Sequence, residues 1–283
     1  MEQLVWHEHP TLRRPVFIIA FEGWSDAGDA ASSAVQFLSE RWSARPVASI
    51  DAEEFFDFTE TRPRVELDDA ERRHIVWPPN ELTAATVAGV DRDVVLLLGT
   101  EPQMRWKAFC RQITDVARTL DVSLVITLGA LLAEVPHTRD TSVMGSSQDP
   151  GLQADLGLKA SRYEGPAGIT SVVHQACHDA GIPSAALWAA VPSYVPGAPS
   201  PKATLALVER AASMLGTSVP ATDLEIATAA YERQLDELVQ EDEETSGYVE
   251  QLEQRYDSDD SDEVTAQSLI DEVERFLRDH PGE

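Results

Sequence analysis

Apolar runs of strand length recur along the chain, at Val16 to Phe21, Val47 to Ile50, His74 to Trp77, Val94 to Leu98, Leu124 to Leu128 and Ala185 to Val191. Their apolar character is nearly continuous, the pattern of strands covered on both faces. Between several of them the period lengthens to that of an amphipathic helix, over Ala27 to Trp42, Gln103 to Leu120, Ile169 to Ala180 and Pro201 to Leu215. Such alternation predicts an α/β fold, a three-layer α/β/α arrangement around a mainly parallel sheet. The segment from Glu53 to Arg73 breaks the rhythm and reads as a hairpin or irregular insert.

Past Pro220 the pattern is helical alone. Leu224, Ala227, Tyr231, Leu235, Leu238 and Val239 recur at helical spacing behind a Thr222 cap. A second amphipathic stretch runs from Val264 to Leu277, with Leu269, Ile270, Val273, Phe276 and Leu277 on one face. The polar run Asp257 to Asp262 reads as a linker between the two. The pattern therefore predicts a core over residues 1–220 and a helical extension over 221–283.

Charge sharpens that division. Of the formal −27, residues 221 to 283 carry −17, from 21 acidic and four basic side chains. Acidity of this degree repels phosphate backbones and argues against a nucleic-acid partner. It serves either as a solvated face or as a docking surface for a basic partner. No apolar run is long enough to span a membrane, and no signal-peptide pattern opens the chain, so a cytoplasmic protein is expected. Cys110 and Cys177 fall within helical patterns and read as small core residues, with neither a disulfide framework nor a metal cluster implied. No cofactor-binding or metal motif is recognisable.

Four segments follow strands, and strand ends of one parallel sheet gather at one edge, where ligands and partners bind. In Gly23-Trp24-Ser25-Asp26, glycine permits a tight turn, Ser25 or Asp26 can cap the next helix, and Trp24 is free to contact a ligand or partner. In Gly99-Thr100-Glu101-Pro102, the carboxylate of Glu101 is a cap or a general base, and Trp106 packs one turn later. His137 beside Arg139 pairs a proton carrier with a fixed cation, suited to an anion or a carbonyl, or to a structural hydrogen-bond role. The fourth segment, Tyr163-Glu164-Gly165-Pro166-Ala167-Gly168, precedes a helix bearing His174 and His178, whose spacing lacks the glutamate of a zincin motif. The spacing at Gly23 is not that of a P-loop, and no Gly-X-Ser-X-Gly elbow is present.

Taken together and in order, these segments resemble the proteasome assembly chaperone 2 family in its actinobacterial form. The resemblance is carried by Gly23 to Gly28, Gly99 to Pro102 with Trp106, Leu128 to Arg139, Tyr163 to Gly168, and Leu187 to Pro192 with Tyr194. It implies a nucleoside phosphorylase-like core, self-association into a ring, trimer or other small oligomer, and a role in building proteasome core particles. Some relatives dock through a C-terminal hydrophobic-tyrosine-X motif, which Asp279-His280-Pro281-Gly282-Glu283 does not match. Two functions follow as expectations. One is a non-catalytic, homo-oligomeric interaction protein with proteasome core-particle subunits as partners. The other is a nucleoside phosphorylase or hydrolase-like enzyme, or a small-ligand-binding protein, with Glu101, His137, Arg139 and Glu164 around a pocket at the strand ends.

Overall fold

The computed structural model describes residues 3–68 and 70–258. Its main sheet has eight strands: β1 (Leu4–Trp6), β2 (Val16–Glu22), β3 (Arg45–Ile50), β6 (Asn80–Ala85), β7 (Val94–Thr100), β8 (Leu124–Ala133), β9 (Val143–Ser146) and β10 (Ser184–Pro192). They lie in the order β1-β3-β6-β7-β2-β8-β10-β9. The central four, β7, β2, β8 and β10, are parallel. Every pairing outside them is antiparallel, so the sheet is mixed, with a parallel heart and antiparallel wings.

Four of the apolar runs, 16–21, 94–98, 124–128 and 185–191, became that parallel heart, as expected of strands covered by helices on both faces, whereas the run 47–50 lies in β3 of an antiparallel wing. Along β2 the residues from Val16 to Phe21 are at most 1% exposed. Val16, Ile18 and Ala20 pack beneath α1 (Ala30–Arg41) and α5 (Pro201–Leu215), whereas Phe17, Ile19 and Phe21 pack beneath α2 (Trp106–Thr119) and α4 (Ile169–Asp179). The strand's two-residue side-chain period thus divides one apolar run between two cores, and the architecture is the expected three-layer α/β/α sandwich. A short helix, α3 (Pro150–Leu156), follows β9 and is capped by Asp149, which accepts from the amides of Gly151 and Leu152.

Other elements differ from the sequence pattern. The run at His74 to Trp77 is not a main-sheet strand: β5 (Arg73–Val76) pairs with β4 (Arg64–Leu67) in a separate hairpin. Its alternating composition leaves Val65, Leu67, Ile75 and Trp77 about half exposed or more. Strands β1, β6 and β9 leave no clear sequence pattern, because each is too short or too polar to carry a period. The acidic region opens with α6 (Thr222–Gln240), but Thr222 is its first helical residue, not its cap. Tyr231, Leu235 and Val239 are buried, whereas Leu238 faces outward at 53% exposure. A further helix, α7 (Glu243–Ser258), occupies ground that the sequence left unassigned and absorbs Asp257 and Ser258 from the expected linker. The rest of that linker and the stretch from Val264 to Leu277 lie outside the described residues.

Both cysteines are free and buried, and burial pushes each thiol up to about 12. Since the thiolate is the reactive form, a disulfide reagent such as Ellman's should leave the native protein unmodified at pH 8. Both thiols should then react on unfolding in denaturant.

Candidate functional site

Strands β2 and β7 are neighbours, yet the chain leaves β2 toward α1 on one face and β7 toward α2 on the other. That divergence opens a crevice at the strand ends, the usual ligand position in such sheets. Here the chain fills it with its own carboxylate. Glu101 accepts from the backbone N–H of Trp24 at 3.2 Å through Oε2 and from that of Ile169 at 2.7 Å through Oε1. Glu101 therefore does act at a helix terminus, but at that of α4; the first turn of α2 starts instead from Arg105 in a left-handed conformation. Trp106 folds back, its indole N–H donating to the Pro102 carbonyl.

Backbone shape makes room for this clasp. Gly23 has a φ of +133°, and a β-carbon there would lie 3.0 Å from that of Glu101. At Gly168 a β-carbon would come within 2.4 Å of Ser25 Oγ and 2.8 Å of the Trp24 ring. Asp26 completes the corner by accepting from the amides of Ala31 and Ser32 at 2.7 and 3.1 Å, capping α1 as its position predicted. Its other oxygen, Oδ2, and Ser25 Oγ are buried without a protein partner. Burial raises the Asp26 pKa above the ordinary 3.8, against the opposing pull of the Ser32 and Ala31 hydrogen bonds. At the same end of β7, Gly99 faces buried Asn80, whose Oδ1 would lie only 2.0 Å from a β-carbon there.

His137 and Arg139 go elsewhere, and they do not share a void with Glu101. His137 is 2% exposed; its Nδ1 lies 2.7 Å from the Tyr194 hydroxyl and its Nε2 3.1 Å from Asp236 of α6. The same hydroxyl accepts from the His137 amide at 2.8 Å, so Tyr194 is held at both ends of the residue. Burial pushes the Tyr194 phenol well above its usual range. Arg139 reaches α7, pairing with Asp257 at 2.7 Å and Glu253 at 3.2 Å. Those partners raise the guanidinium pKa, while the Arg139 hydrogen bonds lower that of Asp257. Lys202 to Glu232 at 2.5 Å, Arg41 to Asp223 and Arg255 to Glu134 add further pins between core and extension. Glu164 is exposed, whereas Tyr163 folds over Gly165 and donates to the Pro166 carbonyl at 2.8 Å. Of the four residues grouped as candidate catalysts, His137 and Arg139 line one small recess of about 10 Å³, and Glu101 and Glu164 lie outside it. Tyr194, Lys202, Asp236, Glu253 and Asp257 complete the actual contacts, and no one-dimensional signal pairs a residue near 137 with one a hundred positions on.

A broad groove of about 2250 Å³ runs beside the corner, with Trp24, Met144, Tyr163, Trp188 and Tyr256 in its walls. Gly129 permits one wall, since a β-carbon there would lie 2.6 Å from the Trp188 ring across the β8–β10 pair.

Charge-assisted hydrogen bonds contribute about 1.5–3 kcal/mol, so Glu101→Ala should lower stability by about 2 kcal/mol and the melting temperature by roughly 4–8 °C. Gly23→Ala should cost about 1 kcal/mol or more, and unaltered melting of either variant would contradict the clasp. Asp26→Asn tests the raised pKa. A folded-state pKa above the unfolded one means that wild type loses stability as pH rises from 3.8 through the folded value. The Asn variant lacks this loss, so its stability relative to wild type should climb across that window and then level off. Denaturant titrations from pH 3 to 8 would measure it.

Comparison with known proteins places this geometry. The PAC2 family model matches residues 20–239. The solved structure of a PAC2 family protein from Streptomyces avermitilis is 44% identical, covers 83% of this chain and 99% of its own, and superposes with a TM-score of 0.79. A proteasome-assembly chaperone homologue from Mycobacterium tuberculosis gives 44% identity, the same coverages and a TM-score of 0.75. A second M. tuberculosis protein, of unknown function, is 28% identical, covers 98% of this chain and 95% of its own, and reaches a TM-score of 0.82. No curated protein matches the chain. With the family model spanning most of the described residues, the chain belongs to the PAC2 family.

Proposed function

We propose that this chain is a non-catalytic, homo-oligomeric assembly protein that acts in the cytoplasm on proteasome core-particle subunits. The observation that carries the non-catalytic part is the self-capping of the strand ends. Helix N-termini in this position are ready-made anion sites, yet α1 is capped by Asp26 and α4 by Glu101. A phosphate or nucleotide would have to displace a carboxylate of the protein to reach those amides. The partner class comes from the M. tuberculosis relative, which is described as a proteasome-assembly chaperone homologue.

Self-association is supported by the β4–β5 hairpin. Val65 faces Ile75 across the pair, Leu67 lies on the same face, and Trp77 continues it. These four residues are 49–63% exposed, a contiguous apolar strip on a two-stranded ribbon. Such ribbons are marginal alone, and a cyclic contact with other copies would cover the strip. In this reading residues 1–220 form the working core and 221–283 an acidic accessory segment. No helix among the described residues is long and apolar enough to cross a membrane.

Light scattering on the full chain should give a small oligomer, a trimer in the simplest closed case, and not a 31.0 kDa species. Leu67→Asp with Ile75→Asp should shift it to monomer without changing its circular dichroism. Native mass spectrometry with recombinant core-particle subunits should show a complex. A monomer at micromolar concentration that captures no subunit overturns the proposal.

A further inference from the structure

One wall of the groove beside Trp24 is a stripe of α2. Lys107, Arg111, Thr114 and Arg118 recur on it at intervals of three or four residues, which is one face of a helix about 16 Å long. Helix α4 packs against α2 and adds Ser171, Val172, Gln175, Ala176 and Asp179 to the same lining. Most of these α4 side chains are short, and Val172 and Ala176 are only partly buried. The seam between the two helices is therefore an apolar floor beside a row of cations.

Those cations are held by little else. Lys107, Arg111 and Arg118 are all exposed. Among the described residues neither Lys107 nor Arg111 has a carboxylate within ion-pair distance, and Arg118 has only Asp115, at 3.8 Å. By contrast Arg13, Arg41, Arg139 and Lys202 are each held by a carboxylate. The acids in the groove's lining are Asp26, Asp29 and Asp179, and Asp26 is committed to capping α1.

The shape and the charge select among occupants. At about 2250 Å³ the groove exceeds the roughly 300–1,000 Å³ of small-molecule clefts. A nucleic acid carries one charge per ~1.7 Å, far denser than one cation per helical turn, and the chain's net −27 opposes it. A second copy is a poor fit, because the acidic helix α6 lies on α5, in the layer opposite α2 and α4. Copies joined face to back would stack without closing. A helix with carboxylates one turn apart repeats at the spacing of the cations themselves.

We propose that the α2–α4 seam is the docking site for an acidic, amphipathic helix of another protein. The partner's carboxylates meet Lys107, Arg111 and Arg118, and its small apolar residues cover Val172 and Ala176, a helix-in-groove contact. Trp24, 44% exposed beside Gly168 at the start of α4, offers a large apolar contact at one end. The proposal goes beyond the assembly reading and makes no use of the hairpin strip.

The test is fluorescence anisotropy on the full chain. Its probe is a fluorescein-labelled peptide of about 20 residues, long enough to form a helix, made of Ala, Leu and Glu with glutamates four and seven residues apart. Binding should saturate and weaken as salt rises. Lys107→Glu with Arg111→Glu should raise Kd about tenfold or more, since two ion pairs become two repulsions. Lys107→Ala with Arg111→Ala, which serves should the reversed pair misfold, should raise it about threefold. A peptide with Lys in place of Glu should bind the reversed variant better than wild type. No saturable binding, or equal affinity in wild type and both variants, overturns the proposal. A thymidine oligonucleotide that binds as tightly as the peptide also overturns it. Light scattering on the same variants separates this reading from the assembly one. An unchanged assembly mass supports a foreign helix in the groove, whereas dissociation of both variants means that a second copy fills it, which overturns the proposal and leaves the oligomer standing.

Discussion

A parallel sheet whose neighbouring strands send their chains to opposite faces must open at the strand ends, and the open polar backbone there has to be satisfied. Glu101 meets that requirement. One carboxylate binds the amide that ends the β2 turn and the amide that starts α4, tying the two faces of the sandwich across the crevice. Amides left without a partner are costly; the close approach of Glu101 requires Gly23 to lack a side chain, and at Gly168 a β-carbon would meet Ser25, Trp24 and then Glu101. In many α/β proteins a bound anion occupies such a place; in this one the protein's own side chain does.

The acidic extension obeys a second constraint. Helices α6 and α7 repel one another and the acidic core electrostatically, yet they lie on it. Apolar contact supplies part of the hold: Tyr231 and Leu235 pack with Val195 and Tyr194, Leu224 packs against the main core, and Val239, Val249 and Leu252 are buried. The core compensates with a scattered set of cations and one imidazole, Arg41, His137, Arg139 and Lys202, each meeting a different carboxylate. Exposed pairs contribute little individually; the partly buried His137–Tyr194–Asp236 arrangement gives the set a specific register. His137 and Arg139 thus tie the core to α6 and α7: the histidine meets Tyr194 and Asp236, and the arginine meets Glu253 and Asp257.

The PAC2 family relation and these two constraints fit together. Relatives at 44% identity share the core but cover 83% of this chain. The crevice between β2 and β7 is bridged by Glu101, a residue of the core itself, and the large groove lies where α7 returns to the strand ends.

By itself the sequence determined the parallel heart, its four flanking helices, the Gly23 turn and the Asp26 cap. Each is a local matter: continuous apolar runs, a 3.6-residue period, a glycine forced to positive φ and a carboxylate just ahead of a helix. Even the outlying helix α6 was legible, because its stripe is regular. The antiparallel wings, the hairpin's separation from the main sheet and the helical state of Glu243 to Ser258 were decided by tertiary contacts that leave little periodicity behind. So were the partners of Glu101, His137 and Arg139. Glu101 serves a helix 68 positions away, and Arg139 holds a carboxylate 118 positions away. Electrostatic and hydrogen-bond partners are selected by distance in space, a quantity that a linear order of residue types does not contain.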